Sequence, residues 1–418
     1  MDPVKPAVDS PAPLTVRTTP VPDPGTLPTR LPTPDALAWI HHGEGIVAWG
    51  QAARITIPGG PDRFTRARAW LDDLFTTAHI DDPLDLPGTG PVAFGSFTFD
   101  PAAPGSVLIV PRHILGRRNG QAWLTTIGEP ADDPLTLAHP LTPPTGLRWS
   151  DGTLSAPAWQ NAVATAVQRI RHGRLGKTVL ARDLTVHAAG PIDPRPLLDR
   201  LAARYPACFT FAVDGLIGAT PELLIRRTGD RIDSLVLAGT LPRGATPADD
   251  HARAQRLLNS PKDRREHAYA ADMVRDALTP LCADLHVPHR PQILTLPNVI
   301  HLATPVHGTL DKERSVLDVL AALHPTPAVC GTPTGPALDL IRELEVMDRG
   351  RYAGPVGWID ATGDGEWGIA LRCAELDPAD PTRARLFAGC GIVADSDPAA
   401  ELAEAQAKFR PMQEAFQG

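Results

Sequence analysis

The chain has 418 residues, 43% of them hydrophobic and 21% charged, enough apolar material for a large folded core. Its formal net charge of −8 argues against a nucleic-acid-binding surface. The five cysteines, at 208, 282, 330, 373 and 390, are odd in number and scattered, which fits neither a disulfide framework nor a metal knuckle and points to a reducing compartment. No apolar run is long enough to span a bilayer, and the first residues lack a signal-peptide pattern, so a cytoplasmic location is expected.

Residues 1–35 carry ten prolines and little sustained apolar pattern, the composition of an extended or disordered leader. The folded domain is expected over 36–418. Short strands follow at Ala36–Ile40, Gly45–Trp49 and Ala53–Ile57, then a helix over Arg63–Ala78 and strands at Pro91–Phe99, Ser106–Pro111 and Gln121–Ile127. Gly128–Arg148 is proline-rich and polar, as a linker between halves would be. A helix at Pro157–His172 precedes a strand at Lys177–Val186 and a helix at Pro194–Arg204. Strands at Phe209–Val213, Leu216–Ala219, Leu223–Arg226 and Ile232–Leu237 are joined by turns at Asp214-Gly215 and Thr228–Asp230. Beyond a helix opening at Ser260, strands are expected near Gln292–Leu296 and Val299–Thr304, and helices at Val316–Leu323 and Pro336–Glu345. The last strands are Gly354–Asp360, Glu366–Leu376 and Arg385–Val393, before a final helix at Pro398–Phe416. Runs of strands with non-alternating helices indicate an α+β fold with antiparallel sheets, not a doubly wound parallel one.

The helix that opens at Ser260 carries an anomaly. Ser260 can cap it and Pro261 fits its first position. Its apolar stripe runs through Ala270, Met273, Val274, Ala277 and Leu281, and helical periodicity puts Asp263 and Glu266 on that stripe. Asp263 can be explained as a capping-turn acid; Glu266 cannot. Two carboxylates on a buried face need compensation, and a hard cation such as magnesium is the simplest. The final helix places Glu401, Glu404 and Lys408 along one edge of its own stripe. There a plain Glu404–Lys408 pair at i,i+4 is the competing explanation.

Three further residues break local logic. Lys177 starts an otherwise apolar strand; it is either a strand-end lysine with its amine in water or a desolvated general base. Glu222 follows Pro221, which can bend a strand and turn the carboxylate inward; otherwise it is an exposed turn residue. Arg372 sits in Ile-Ala-Leu-Arg-Cys-Ala, an arginine inside an apolar strand that calls for an anionic partner. Gly389-Cys390-Gly391 interrupts the next strand and allows close approach to its backbone. Asp360–Glu366 superficially resembles a calcium loop but lacks the spacing, and a hairpin turn accounts for it.

Taken together, the segments Lys177–Arg182, Gly218–Leu224, Leu237–Gly244, Lys262–His267, Val299–Leu302, His324–Gly331, Asp348–Gly357, Asp364–Arg372 and Ala388–Lys408 resemble, in order, the chorismate-utilising enzymes, and within them the isochorismate synthases. The resemblance implies a single large α+β domain of two antiparallel sheets flanked by helices, and a monomeric, Mg²⁺-dependent isomerase acting on chorismate; from charge and hydropathy, no nucleic-acid or membrane partner is expected. It implies Lys177 as the base that activates water for attack at C2, and Glu222 as the acid for the departing C4 hydroxyl. Glu266 and Glu404 would hold Mg²⁺, supported by Asp263 and Glu401. Thr240, Tyr352, Arg372, Lys408 and the backbone at Gly389 and Gly391 would bind substrate, with His301 near the ring. Lys177 favours water over ammonia as nucleophile, and Ala238 stands where aminodeoxychorismate-forming relatives carry a nucleophilic lysine. The His-Pro-Thr-Pro segment favours an isochorismate synthase over a salicylate synthase. A non-catalytic chorismate-binding protein would be free to lose Lys177 or Glu222.

Overall fold

The computed structural model describes residues 13–129, 141–173, 175–296 and 299–418. Its helices are α1 (Arg63–Thr76), α2 (Ala156–Arg171), α3 (Pro194–Arg204), α4 (Pro247–Asn259), α5 (Pro261–Leu278), α6 (Val316–Leu323), α7 (Thr334–Glu345) and α8 (Pro398–Gln417). The strands form two sheets. In the first, Arg148–Asp151, Lys177–His187, Arg383–Ile392, Cys373–Leu376, Leu216–Thr220 and Phe209–Val213 lie side by side, and strands from the first third of the chain extend it. In the second, Val299–Leu310, Arg231–Pro242, Leu223–Thr228, Gly365–Ile369 and Pro355–Asp360 are neighbours, again extended by earlier strands. Among the described residues the sheets are antiparallel apart from the short pairing of Thr15–Arg17 with His79–Asp81. Both sheets draw on both ends of the chain, so the expected single α+β domain is what forms. Residues 130–140 of the expected linker lie outside the described residues.

One apolar core contains Trp39 and Phe211 from the first sheet and Phe94, Trp358 and Trp367 from the second, so the inner faces of the sheets pack on each other. A second core lies under α3 and α8, where Leu197, Leu201, Phe409 and Phe416 cover Val186 and Leu386. Burying each of these large side chains is worth about 1.5–3 kcal/mol. No helix among the described residues is long and apolar enough to cross a membrane.

The leader needs correction. Residues 1–12 lie outside the described residues, but Thr15–Pro20 is a strand, paired from Val16↔Ile127 to Pro20↔Trp123. The proline count concealed the run Thr-Val-Arg-Thr-Thr, whose β-branched residues suit a strand, and whose Val16 and Thr18 alternate inward. The acidic loop at 360–366 is a hairpin turn, as expected. Asp360 accepts hydrogen bonds from the Thr362 amide (2.9 Å) and the Asp364 amide (3.0 Å), which commits its carboxylate to the turn.

Candidate active site

Two places where the chain leaves one sheet for the other build the floor of the candidate site. The first crossing is Pro221-Glu222, between Leu216–Thr220 and Leu223–Thr228. The second is Ala370–Arg372, between Gly365–Ile369 and Cys373–Leu376. The flanking strands pair with each other in both sheets, Gly218 with Cys373 and Leu223 with Gly368, so the crossings lie together. Arg372 is therefore not inside a strand, as expected from sequence. It occupies the break, at φ 49°, a left-handed conformation that ends the ladder and turns its side chain away from strand alternation.

These crossings open onto a cavity of about 440 Å³ that every residue singled out above as a site candidate lines. Lys177 is 1% exposed, so its amine is not in bulk water; Nζ lies 3.1 Å from Glu266 Oε1. Gly391 makes room for this pair. A Cβ there would stand 2.5 Å from Glu266 Oε1 and 2.8 Å from Lys177 Cε. Register puts Gly391 opposite Val179, two residues along the strand from Lys177.

Glu222 is buried, not an exposed turn residue. Burial pushes its carboxyl up to about 8, against the pull of Lys177, Arg372 and Lys408 and a hydrogen bond from the Leu237 amide. It is thus a carboxylic acid holding its proton at neutral pH.

Carboxylates gather opposite. Ser260 caps α5 through the Asp263 amide at 3.2 Å, and the Asp263 side chain lines the cavity with Glu266 one turn on. From α8 come Glu401 and Glu404. Burial and then the neighbouring Glu404 push the Glu401 carboxyl up to about 7. The plain i,i+4 alternative is also realised: Lys408 Nζ lies 2.6 Å from Glu404 Oε1 and donates to the Gly389 carbonyl at 2.8 Å. Burial opposes the Lys408 charge, but Glu404 outweighs it and the ammonium is held well above its ordinary range. Oxygen-rich, crowded carboxylates of this kind fit a hard divalent cation, whose charge would relieve the Glu401–Glu404 repulsion. Cys390 Sγ lies with the Glu401 and Glu404 oxygens, all within 4.8 Å of one another. That thiol was not anticipated as a neighbour of the carboxylates.

The remaining wall is suited to an anion. The Arg372 side chain makes no ion pair or hydrogen bond with a described residue, so among the described residues the anionic partner its position called for is not supplied. Tyr352 stacks on Phe387 with ring centroids 5.0 Å apart, and burial raises its hydroxyl pKa. A bulge between Ala238 and Thr240, with Gly239 at φ 79°, sets Thr240 opposite His301. Thr240 Oγ1 lies 2.9 Å from His301 Nδ1. His301 Nε2 is buried without a partner, and burial followed by Arg372 and Lys408 lowers this imidazole to about 3, so it is neutral.

Sequence reasoning missed α4, which brings Arg256 to the cavity beside Lys262. The signal was present: Thr246 and Asp249 form a capping box, with Pro247 between them at the first helical position. The helix buries only Leu257, so it has no apolar stripe to read.

A buried amine, a protonated carboxyl, clustered carboxylates and a free guanidinium around one cavity can perform acid–base chemistry on an anionic substrate beside a cation. Comparison with known proteins identifies the family. The isochorismate synthase DhbC of Bacillus subtilis is 44% identical over 266 residues, 61% of this chain and 66%, just under two thirds, of that protein. The isochorismate synthase MenF of the same organism is 34% identical over 381 residues, 82% of this chain and 79% of that protein. The solved structure of MenF, the menaquinone-specific isochorismate synthase from Escherichia coli, superposes with a TM-score of 0.81 at 25% identity, covering 97% of this chain and 95% of that one. A family model described as chorismate binding enzyme matches residues 38–417, from the strand at Leu37–His41 to the end of α8, and the chain therefore belongs to the chorismate binding enzymes.

Proposed function

We propose that this protein is an isochorismate synthase, an isomerase that adds water at C2 of chorismate as the C4 hydroxyl departs. The observation that carries the reading is the pairing of opposite functions in one cavity: a buried amine at Lys177 and a carboxyl at Glu222 that keeps its proton to about pH 8. Lys177 takes a proton from the attacking water as its oxygen bonds to C2. Glu222 donates its proton to the C4 oxygen, which leaves as water while the ring double bonds shift. The base gains one proton and the acid loses one, so the displacement balances.

Arg372 supplies the charge-assisted hydrogen bonds that seat a substrate carboxylate, and Tyr352 and Lys408 line the same wall. The neutral His301, oriented by Thr240, offers Nε2 to the ring without adding a charge. Glu266 and Glu404 would hold Mg²⁺, with Asp263 and Glu401 beside them. Bound there, Mg²⁺ would supply positive charge that anchors and polarises the ring carboxylate.

The test is product analysis with purified protein and chorismate, with and without Mg²⁺, and with ammonia as a competing nucleophile. Isochorismate formed only with Mg²⁺ is the expected result. Salicylate with pyruvate, an aminated product, or no turnover would each overturn the assignment.

A further inference from the structure

We infer that Lys177 also competes with the metal for Glu266, and so sets how weakly the chorismate-free protein binds its cation. This rests on the reading of Glu266 as a metal ligand. Each of the two principal candidate ligands already has a cation of the protein's own: Lys177 sits 3.1 Å from Glu266, and Lys408 sits 2.6 Å from Glu404. A divalent ion that takes both carboxylates competes with both lysine side chains for them.

The two displacements differ. Lys408 also donates to the Gly389 carbonyl at 2.8 Å, so it keeps a polar partner when Glu404 turns to a metal. Lys177 has Glu266 as its sole polar partner among the described residues, and its side chain is 1% exposed. Losing Glu266 leaves the buried Lys177 amine without its described polar partner, and an unpaired buried polar group is costly. The bare backbone of Gly391 leaves the pair the space it occupies, since even a methyl there would fall within 2.8 Å of both side chains. Lys177 therefore holds Glu266 until another group compensates it, and the substrate is the group that arrives. Metal and chorismate bind with positive coupling, and the amine is released from its carboxylate only in the ternary complex.

Mn²⁺ is the probe, its affinity for the full chain without chorismate read by electron paramagnetic resonance. Lys177→Met is expected to bind Mn²⁺ at least tenfold more tightly than the parent, whereas a merely damaged site would bind it more weakly. Glu266→Gln is expected to lose most of the binding. Unchanged or weaker affinity in Lys177→Met, with Glu266→Gln still defective, overturns the competition but leaves Glu266 as a ligand. Parent-like affinity in Glu266→Gln overturns both. Lys177→Gln, which keeps a polar tip, replaces Lys177→Met if the latter does not fold.

Discussion

Glu222→Gln should make this protein more stable as it makes it inactive, and the gain should grow with pH. In the unfolded chain the carboxyl ionises near its ordinary 4.5; in the folded protein burial lifts it to about 8. Between those values the folded state holds a proton that the unfolded state has released, so stability falls as pH rises through this window and none is lost below it. At about 1.4 kcal/mol per pH unit, the burden reaches roughly 4–5 kcal/mol by pH 8. Glutamine stays neutral at every pH and keeps an oxygen to accept from the Leu237 amide. With an unfolding entropy of about 2.1 cal/mol/K per residue, ~1 kcal/mol moves the Tm of a chain this long by about 1 °C. The variant should therefore melt about 1 °C above the parent at pH 5 and about 5 °C above it at pH 8. The assay is scanning calorimetry of both proteins in chelator without chorismate. A Tm difference that stays constant from pH 5 to pH 8 would refute the buried-acid argument. The catalytic counterpart is a loss of ~10²–10⁴ in kcat for the variant, and a fall in the parent's kcat/KM above about pH 8.

Other substitutions probe the neighbours. Gly391→Ala puts a methyl against the mobile ends of Lys177 and Glu266, so activity should drop at least tenfold with Tm moving little, which parallel kinetics and melting would measure. Arg372→Gln removes a guanidinium free to bind an anion; KM for chorismate should rise about 10–100-fold, the worth of a charge-assisted hydrogen bond, and an unchanged KM would remove Arg372 from the substrate clamp. Glu345→Gln acts at a distance. Glu345 accepts from the Ala181 amide at 2.7 Å and from Arg349 Nε at 2.8 Å, and Arg349 in turn donates to the Val179 carbonyl at 2.8 Å, bracing the strand that carries Lys177. Breaking that buried pair should cost about 3–5 kcal/mol, seen as a lower Tm.

Much of this protein is local chemistry and could be read from the residues. Ser260, Pro261 and the stripe of α5 specify a helix start, and α3 and α6 fall where apolar periodicity and caps place them. Candidate site residues stood out because each broke a local rule: Glu266 on an apolar face, Lys177 heading an apolar strand, Glu222 after a strand proline. Their individual roles came from the ordered family motifs, since periodicity marks an anomaly without naming its partner. Where local signals were weak, the reading failed. Helix α4 has a cap but no stripe, and the strand at Thr15–Pro20 is short, lies among prolines and is held by pairing with residues far along the chain.

What only the tertiary structure decided is which charges meet. Lys177 faces Glu266 because its strand is registered against Arg383–Ile392 while α5 packs on Arg231–Pro242 of the other sheet, contacts between segments far apart in the chain. Glu222 is an acid at neutral pH because two sheet crossings bury it together, and Arg372 is free for an anion because it sits in the break and not in the ladder. Helix and strand periods arise from neighbouring residues. Charge partners, burial and the resulting protonation states arise from long-range register, and no local pattern encodes them.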